Sequence, residues 1–111
     1  MHADHPITDY VAVVEDDTQF VDVREPDEVA KGTLLGTTNI PLGELKGRVG
    51  ELDSTRRVVV MCRSGVRSTE AAEILTGAGF ADVVNLKGGM MAWEKAKKAS
   101  EPRRGFLSKF R

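Results

Sequence analysis

The single cysteine of the chain, Cys62, stands between an apolar run and a short loop that contains two arginines. The run Val58–Met61 is rich in β-branched valine, which favours a strand. The loop that follows leads into a segment with helical spacing of its apolar residues. Backbone N–H groups at a helix N-terminus attract negative charge, and the thiolate is the reactive form of cysteine. The order of strand, cysteine and loop therefore predicts a catalytic nucleophile at Cys62.

The loop after the cysteine predicts a site for an anion. Arg63 and Arg67 carry planar donor forks suited to an oxyanion, and we expect the Arg67 guanidinium to reach back over Cys62. A cysteine at a strand end is usually a small buried apolar residue. Two arginines and a glycine within five residues have no use in a core, however. The predicted substrate-binding residues are Arg63, Ser64, Gly65, Val66, Arg67 and Ser68.

The spacing between the cysteine and the second arginine favours sulfur chemistry over phosphate chemistry. Four residues separate Cys62 from Arg67. Cysteine-dependent phosphatases have one residue more, which makes a wider cradle for phosphate. The shorter loop brings the N–H groups closer to the sulfur and leaves room for a sulfur substituent. A phosphatase or arsenate reductase is the less favoured alternative.

Composition indicates one globular domain without a general affinity for nucleic acid or lipid. The chain has 111 residues, of which 41% are hydrophobic and 30% charged, and its formal net charge is −1. No apolar run approaches the roughly 20 residues that span a bilayer, and residues 1–6 lack the layout of a signal peptide. One cysteine forms no internal disulfide, and a reactive thiol persists best in a reducing compartment. We therefore expect a cytoplasmic protein with neither nucleic-acid nor membrane partners.

Strand and helix patterns alternate along the chain, which predicts a mainly parallel sheet covered on both faces. The strands are predicted at residues 19–23, 38–40, 57–61 and 83–86. The helices are predicted at residues 10–14, for which a strand is the alternative, and at residues 26–31, 42–52, 68–78 and 90–98. We expect a flexible N-terminus at residues 1–6, a domain at residues 7–98 and a basic C-terminal tail at residues 99–111.

Four further motifs accompany the cysteine loop over residues 7–98, and together they resemble the rhodanese-like domain family of sulfurtransferases. They are Val21-Asp22-Val23-Arg24-Glu25-Pro26, Asn39-Ile40-Pro41-Leu42, Gly77-Ala78-Gly79-Phe80 with the strand pattern after it, and Leu86-Lys87-Gly88-Gly89 with Trp93. The resemblance implies an α/β, rhodanese-like fold with a central parallel sheet of about five strands, flanked by helices on both faces. It also implies that Cys62 is the nucleophile that forms a persulfide.

The resemblance implies a sulfurtransferase that moves sulfane sulfur through Cys62. The donor would be thiosulfate or a similar small molecule, and the acceptor cyanide, a small thiol or a protein thiol. Neither a metal nor an organic cofactor is needed for this chemistry. The alternative is a non-enzymatic persulfide carrier or a regulatory binding module. Asp22 and Arg24 are expected to form an internal charge pair that supports the structure.

One segment departs from the family pattern. Where the family commonly has G-H-I-P-G-A, this chain reads Gly32-Thr33-Leu34-Leu35-Gly36-Thr37. The usual histidine and proline are absent. Because the segment is distant in sequence from Cys62, we expect a change in local geometry and not in catalysis.

Overall fold

β-Branched and other apolar residues form a five-stranded parallel sheet in the computed structural model, which describes residues 1–100. The strands are β1 (Ala3–Pro6), β2 (Gln19–Asp22), β3 (Thr38–Asn39), β4 (Val58–Met61) and β5 (Val83–Lys87). Their order across the sheet is β1-β5-β4-β2-β3, and every neighbouring pair is parallel. The predicted α/β class with a central parallel sheet is confirmed.

Four α-helices and two short 3-10 helices connect these strands. The α-helices are α1 (Pro26–Ala30), α2 (Leu42–Arg48), α3 (Val66–Gly77) and α4 (Gly89–Ser100). The 3-10 helices are Ile7–Ala12 and Val49–Glu51. Proline in the first turn and a capping box between Glu25 and Glu28 begin α1. Within residues 1–100, no helix is both long and apolar enough to cross a bilayer.

The central strand β4 is buried on both faces of the sheet, as its unbroken apolar sequence predicts. Val58 and Val60 pack in one core cluster with residues of α2 and α3. Val59 and Met61 pack in a second cluster with residues of α4 and the 3-10 helix Ile7–Ala12. Successive side chains of a strand point to opposite faces. Cys62 accordingly packs in the first cluster, on the α3 side of the sheet.

The N-terminus differs from the flexible segment that the sequence predicts. Ala3–Pro6 form the edge strand β1, whose partners in β5 run from Val84 to Lys87. Most β1 side chains are exposed, so the strand is held by backbone pairing and gives no hydropathy signal. Proline is tolerated at such an edge. The helix predicted to stop at residue 98 extends to residue 100, and the rest of the predicted basic tail lies outside the described residues.

The strand order creates a crevice at the carboxyl ends of β2 and β4. These two strands are neighbours, yet the chain leaves β2 toward β3 and leaves β4 toward β5, on opposite sides. Ligands of parallel α/β sheets bind at such a switch point. The sheet therefore brings the Cys62 loop beside the segment that follows β2.

Candidate active site

The sulfur of Cys62 lies at the carboxyl end of β4 and receives two backbone hydrogen bonds. The Gly65 N–H donates to Sγ at 3.0 Å, and the Ser68 N–H donates to Sγ at 3.3 Å. The Ser68 hydroxyl oxygen lies 3.4 Å from Sγ and accepts from the thiol. Cys62 and Ser68 are both fully buried. The loop thus surrounds the sulfur with donors that stabilise a negative charge on it.

Gly65 makes the turn that allows its own N–H to face the sulfur. It adopts a left-handed conformation, with φ of 99°, immediately before α3. A side chain here would be strained, and its Cβ would lie 3.3 Å from the Gly88 backbone nitrogen. The third residue of the loop after Cys62 is therefore restricted to glycine by both its conformation and its surroundings.

The beginning of α4 supports the same loop through backbone hydrogen bonds. The Met90 N–H donates to the Cys62 carbonyl, and the Met91 N–H donates to the Arg63 carbonyl, each at 2.9 Å. Gly89 adopts φ of 58°, and a Cβ there would collide with the Arg63 and Cys62 backbone. Two N–H groups of the first turn of a helix thus hold the peptide groups of Cys62 and Arg63. The sequence does not predict this contact, although the Gly88-Gly89 pair indicates a close backbone approach.

Arg67 does not have its guanidinium free above Cys62, because it pairs with Glu28 of α1. Its two terminal nitrogens donate to the two carboxylate oxygens at 2.6 and 2.8 Å. The pKa of Glu28 falls from 4.5 to about 2, chiefly because of this hydrogen bond, with further contributions from a Glu25 backbone hydrogen bond and from the charges of Arg67 and Arg24. Glu28 raises the pKa of Arg67, and the charge of the Cys62 sulfur acts in the same direction. Arg67 therefore ties α3 to α1 while its charge still attracts the sulfur.

Asp22 and Arg24 form a buried ion pair at the end of β2, with 2.8 Å between the Arg24 Nη2 and Asp22 Oδ2 atoms. Arg24 also donates to the Gly32 carbonyl at 2.8 Å. The Thr33 hydroxyl donates to Asp22 Oδ2 at 2.7 Å. The threonine that stands where the family commonly has histidine thus keeps a hydrogen bond to this carboxylate. The pair shapes the wall of the crevice, and its hydrogen bonds within residues 1–100 go to groups other than the Cys62 sulfur.

The remaining predicted binding residues lie at the surface of the loop. Arg63 and Ser64 are exposed, and Val66 is 75% exposed. A cavity of about 170 Å³ lies beside the loop, and Arg63 contributes to its lining. The other residues lining this cavity are Arg24, Glu28, Lys31, Gly32, Met91 and Glu94. The structure thus gathers Gly65 and Ser68 at the sulfur and places Arg63 at a neighbouring opening.

The described residues contain no cluster of side chains suited to a metal ion. No group of three or more His, Cys, Asp or Glu side chains within residues 1–100 is placed to hold a metal ion. His2 and His5 instead lie near the carboxylates of Asp4 and Asp9, at 3.3 and 3.4 Å.

Comparisons with known proteins agree with the loop and the fold. A family model described as a rhodanese-like domain matches residues 8–96, which include the whole Cys62 loop. A Bacillus subtilis protein named Uncharacterized protein YqhL is 45% identical over 83 residues, covering 72% of this chain and 66% of that protein. A protein named Sulfurtransferase from Allochromatium vinosum is 38% identical over 80 residues, covering 72% of this chain and 75% of that protein. The crystal structure of a rhodanese-related protein from Thermoplasma volcanium has a TM-score of 0.76 and 28% identity, covering 91% of this chain and 96% of that one.

Proposed function

The chain belongs to the rhodanese-like domain family, and we propose that it transfers sulfane sulfur from a small anionic donor such as thiosulfate to a thiol through a persulfide on Cys62. The observation that carries the proposal is the convergence of the Gly65 and Ser68 N–H groups on the Cys62 sulfur. Donors fixed in advance around a buried sulfur stabilise a charged nucleophile without reorganisation. The similarity to a protein named Sulfurtransferase supports the same reaction class.

In the first half-reaction the Cys62 thiolate attacks the outer sulfur of thiosulfate. A new S–S bond forms to Cys62, the S–S bond of thiosulfate breaks, and sulfite leaves with that electron pair. The outer sulfur of the Cys62 persulfide then carries the negative charge. The first N–H groups of an α-helix have no acceptor within the helix. We propose that those of Val66 and Arg67, in the first turn of α3, bind this outer sulfur.

In the second half-reaction an acceptor thiolate, or cyanide in a test tube, attacks the outer sulfur. The S–S bond to Cys62 breaks, its electron pair returns to Cys62, and the thiolate is regenerated. Splitting one transfer into two covalent steps predicts ping-pong kinetics. Within residues 1–100, the hydrogen-bond partners of the sulfur are Gly65 and Ser68, and no histidine is among them. The loop itself therefore has to stabilise the thiolate.

The burial of Cys62 requires a route for the donor. Because the residue is fully buried, side chains beside the loop must move before a donor reaches Sγ. The cavity that Arg63 lines is the proposed entrance, since the exposed cations Lys31 and Arg63 attract an anion, although Glu28 and Glu94 also line it. Arg63 is exposed, whereas the guanidinium of Arg67 is held by Glu28. We accordingly assign first contact with an anionic donor to Arg63.

Intact-mass measurement tests the proposal directly, because Cys62 is the only cysteine of the chain. After incubation with thiosulfate, the wild-type protein should gain the mass of one sulfur atom and lose it when a thiol is added. The Cys62→Ser variant should gain nothing and produce no thiocyanate from thiosulfate and cyanide. Equal thiocyanate production by both proteins would refute the mechanism.

The same samples separate the alternatives. A phosphatase would hydrolyse an aryl phosphate, which the short loop disfavours. A persulfide carrier that hands its sulfur to one protein partner would gain the sulfur from thiosulfate and keep it when a small thiol is added. Repeated turnover with a small thiol and no hydrolysis of an aryl phosphate is the result that the proposed function requires.

A further inference from the structure

A chain of side-chain hydrogen bonds links the edge strand β1 to the cysteine loop. Asn85 of β5 donates from Nδ2 to the Asp4 carboxylate at 3.1 Å, and from the same nitrogen to the Thr69 hydroxyl at 3.1 Å. The Thr69 hydroxyl lies 2.7 Å from the Gly65 carbonyl oxygen. Asn85 is 2% exposed, so this is an interior connection. It ends on the residue whose N–H faces the Cys62 sulfur.

The donor and acceptor groups of these residues fix the direction of each hydrogen bond between them. A carboxylate only accepts hydrogen bonds, so Asp4 requires the amide nitrogen of Asn85 to face it. That nitrogen also donates to Thr69, whose own proton is then left for the Gly65 carbonyl. The amide oxygen of Asn85 is buried without a hydrogen-bond partner among the described residues. Turning the amide over would place that oxygen against the Asp4 carboxylate, which explains why the unpaired orientation persists.

The Gly65 carbonyl has more donors than it needs. It accepts from the Thr69 hydroxyl at 2.7 Å, from the Thr69 N–H at 3.1 Å and from the Ser68 hydroxyl at 3.2 Å. A carbonyl oxygen has two lone pairs. The Ser68 hydroxyl also has a second neighbour, the Cys62 sulfur at 3.4 Å. It can therefore leave the carbonyl without stranding a buried acceptor.

We propose that Thr69, oriented by Asn85, is a positioning residue that frees the Ser68 hydroxyl to donate to the Cys62 thiolate. When Cys62 is a thiol, its S–H donates to Ser68 and the Ser68 proton points to the Gly65 carbonyl. When Cys62 loses its proton, the Ser68 hydroxyl turns to the sulfur and Thr69 alone keeps the carbonyl satisfied. The inference rests on the proposed role of Cys62 as a thiolate nucleophile.

The ratio of thiolate to thiol at neutral pH tests the proposal without a sulfur donor. The thiolate absorbs in the ultraviolet, and the difference spectrum against Cys62→Ser isolates the single cysteine. Thr69→Val keeps the shape of the side chain and removes its hydroxyl, so Ser68 stays on the carbonyl. We expect the ratio to fall by roughly three- to tenfold, the size of one weakened hydrogen bond to a charged acceptor. Because this measurement involves no sulfur transfer, its result can be interpreted even where the proposed function is wrong.

Three further variants separate positioning from general support of the helix. Thr69→Ser keeps the hydroxyl and should restore the ratio. Thr76→Val is the matched control, since the Thr76 hydroxyl makes the same bond to a carbonyl four residues earlier in α3, at 2.8 Å, away from the sulfur. It should leave the ratio unchanged. In a Ser68→Ala background, Thr69→Val should lower the ratio no further, because the hydroxyl it releases is gone.

The proposal is overturned by any of three results. They are a wild-type ratio in Thr69→Val, an undiminished effect of Thr69→Val in the Ser68→Ala background, or a failure of Thr69→Ser to restore the ratio. Circular dichroism establishes that each variant is folded. Thr69→Ala, which introduces the residue most favourable to a helix, repeats the comparison against Thr76→Ala if the valine variant does not fold.

Discussion

The ion pair between Arg67 and Glu28 predicts how the protein discriminates donors by charge. As a pair these residues add no net charge beside the loop. Arg67→Ala leaves the Glu28 carboxylate uncompensated, whereas Glu28→Gln leaves the Arg67 guanidinium free. The first variant should disfavour a more negative donor, and the second should favour it. The double variant should return the discrimination to that of the wild type.

The structure sets the size of two separate effects. The fall of the Glu28 pKa from 4.5 to about 2 corresponds to about 3 kcal/mol at about 1.36 kcal/mol per pH unit. Solvent screening at these partly exposed side chains reduces the contribution of the pair to about 1–2 kcal/mol. Losing it lowers the ratio of folded to unfolded protein by about 5- to 30-fold, and this effect does not depend on which donor is used. Two unit charges separated by roughly 8 Å interact by about 0.5 kcal/mol in water and about 2 kcal/mol at an effective dielectric constant of about 20. We expect an effect of about 1 kcal/mol per unit of donor charge, which corresponds to a roughly fivefold change in kcat/KM.

The assay compares thiosulfate with an alkanethiosulfonate, which presents the same outer sulfur with one negative charge fewer. The measured quantity is the ratio of kcat/KM for the two donors. It should fall roughly fivefold in Arg67→Ala, rise roughly fivefold in Glu28→Gln and return to the wild-type value in the double variant. A double variant as poor as Arg67→Ala would show that Arg67 binds the donor anion itself, as the sequence alone suggests, and would refute the compensation of its charge by Glu28.

Three other outcomes follow from the geometry of the site. Gly89→Ala should abolish most sulfur transfer and lower Tm, because its Cβ collides with the loop backbone. Gly77→Ala is the control and should change activity little, because its added Cβ meets no atom within 4 Å. Equal activities of the two variants in the thiocyanate assay would contradict this prediction. The lowered pKa of Glu28 means that the free energy of unfolding gained from its ion pair is present above pH 4.5 and is lost as the pH falls toward about 2. Urea unfolding across this range should show that loss in the wild type and a smaller one in Glu28→Gln. Inserting one glycine between Gly65 and Val66 should weaken sulfur transfer, since it separates the two N–H donors of the sulfur; unchanged kcat/KM for thiosulfate would show that loop length does not matter.

Features that depend on the local order of residues along the chain can be predicted without a structure. The valine-rich run ending at Cys62 and the helical pattern after it place the cysteine between a strand end and a helix N-terminus, and the structure has that arrangement. The spacing of apolar residues distinguishes strands from helices along the chain. The alternation of the two predicts the parallel sheet.

Contacts between residues that are distant in the sequence depend on the tertiary structure. Glu28 and Arg67 are 39 residues apart, and Arg67 had several acidic residues as possible partners. Asn85 and Asp4 are 81 residues apart, and strand β1 contributes backbone pairing with little apolar burial, so no hydropathy signal marks it. Such contacts depend on the order of the strands and the register between them, in which Ala3 lies opposite Val84. The chain encodes these contacts only through the packing of the whole sheet. The position of Cys62 at a strand end could therefore be predicted from the sequence, whereas the partners that orient its loop could not.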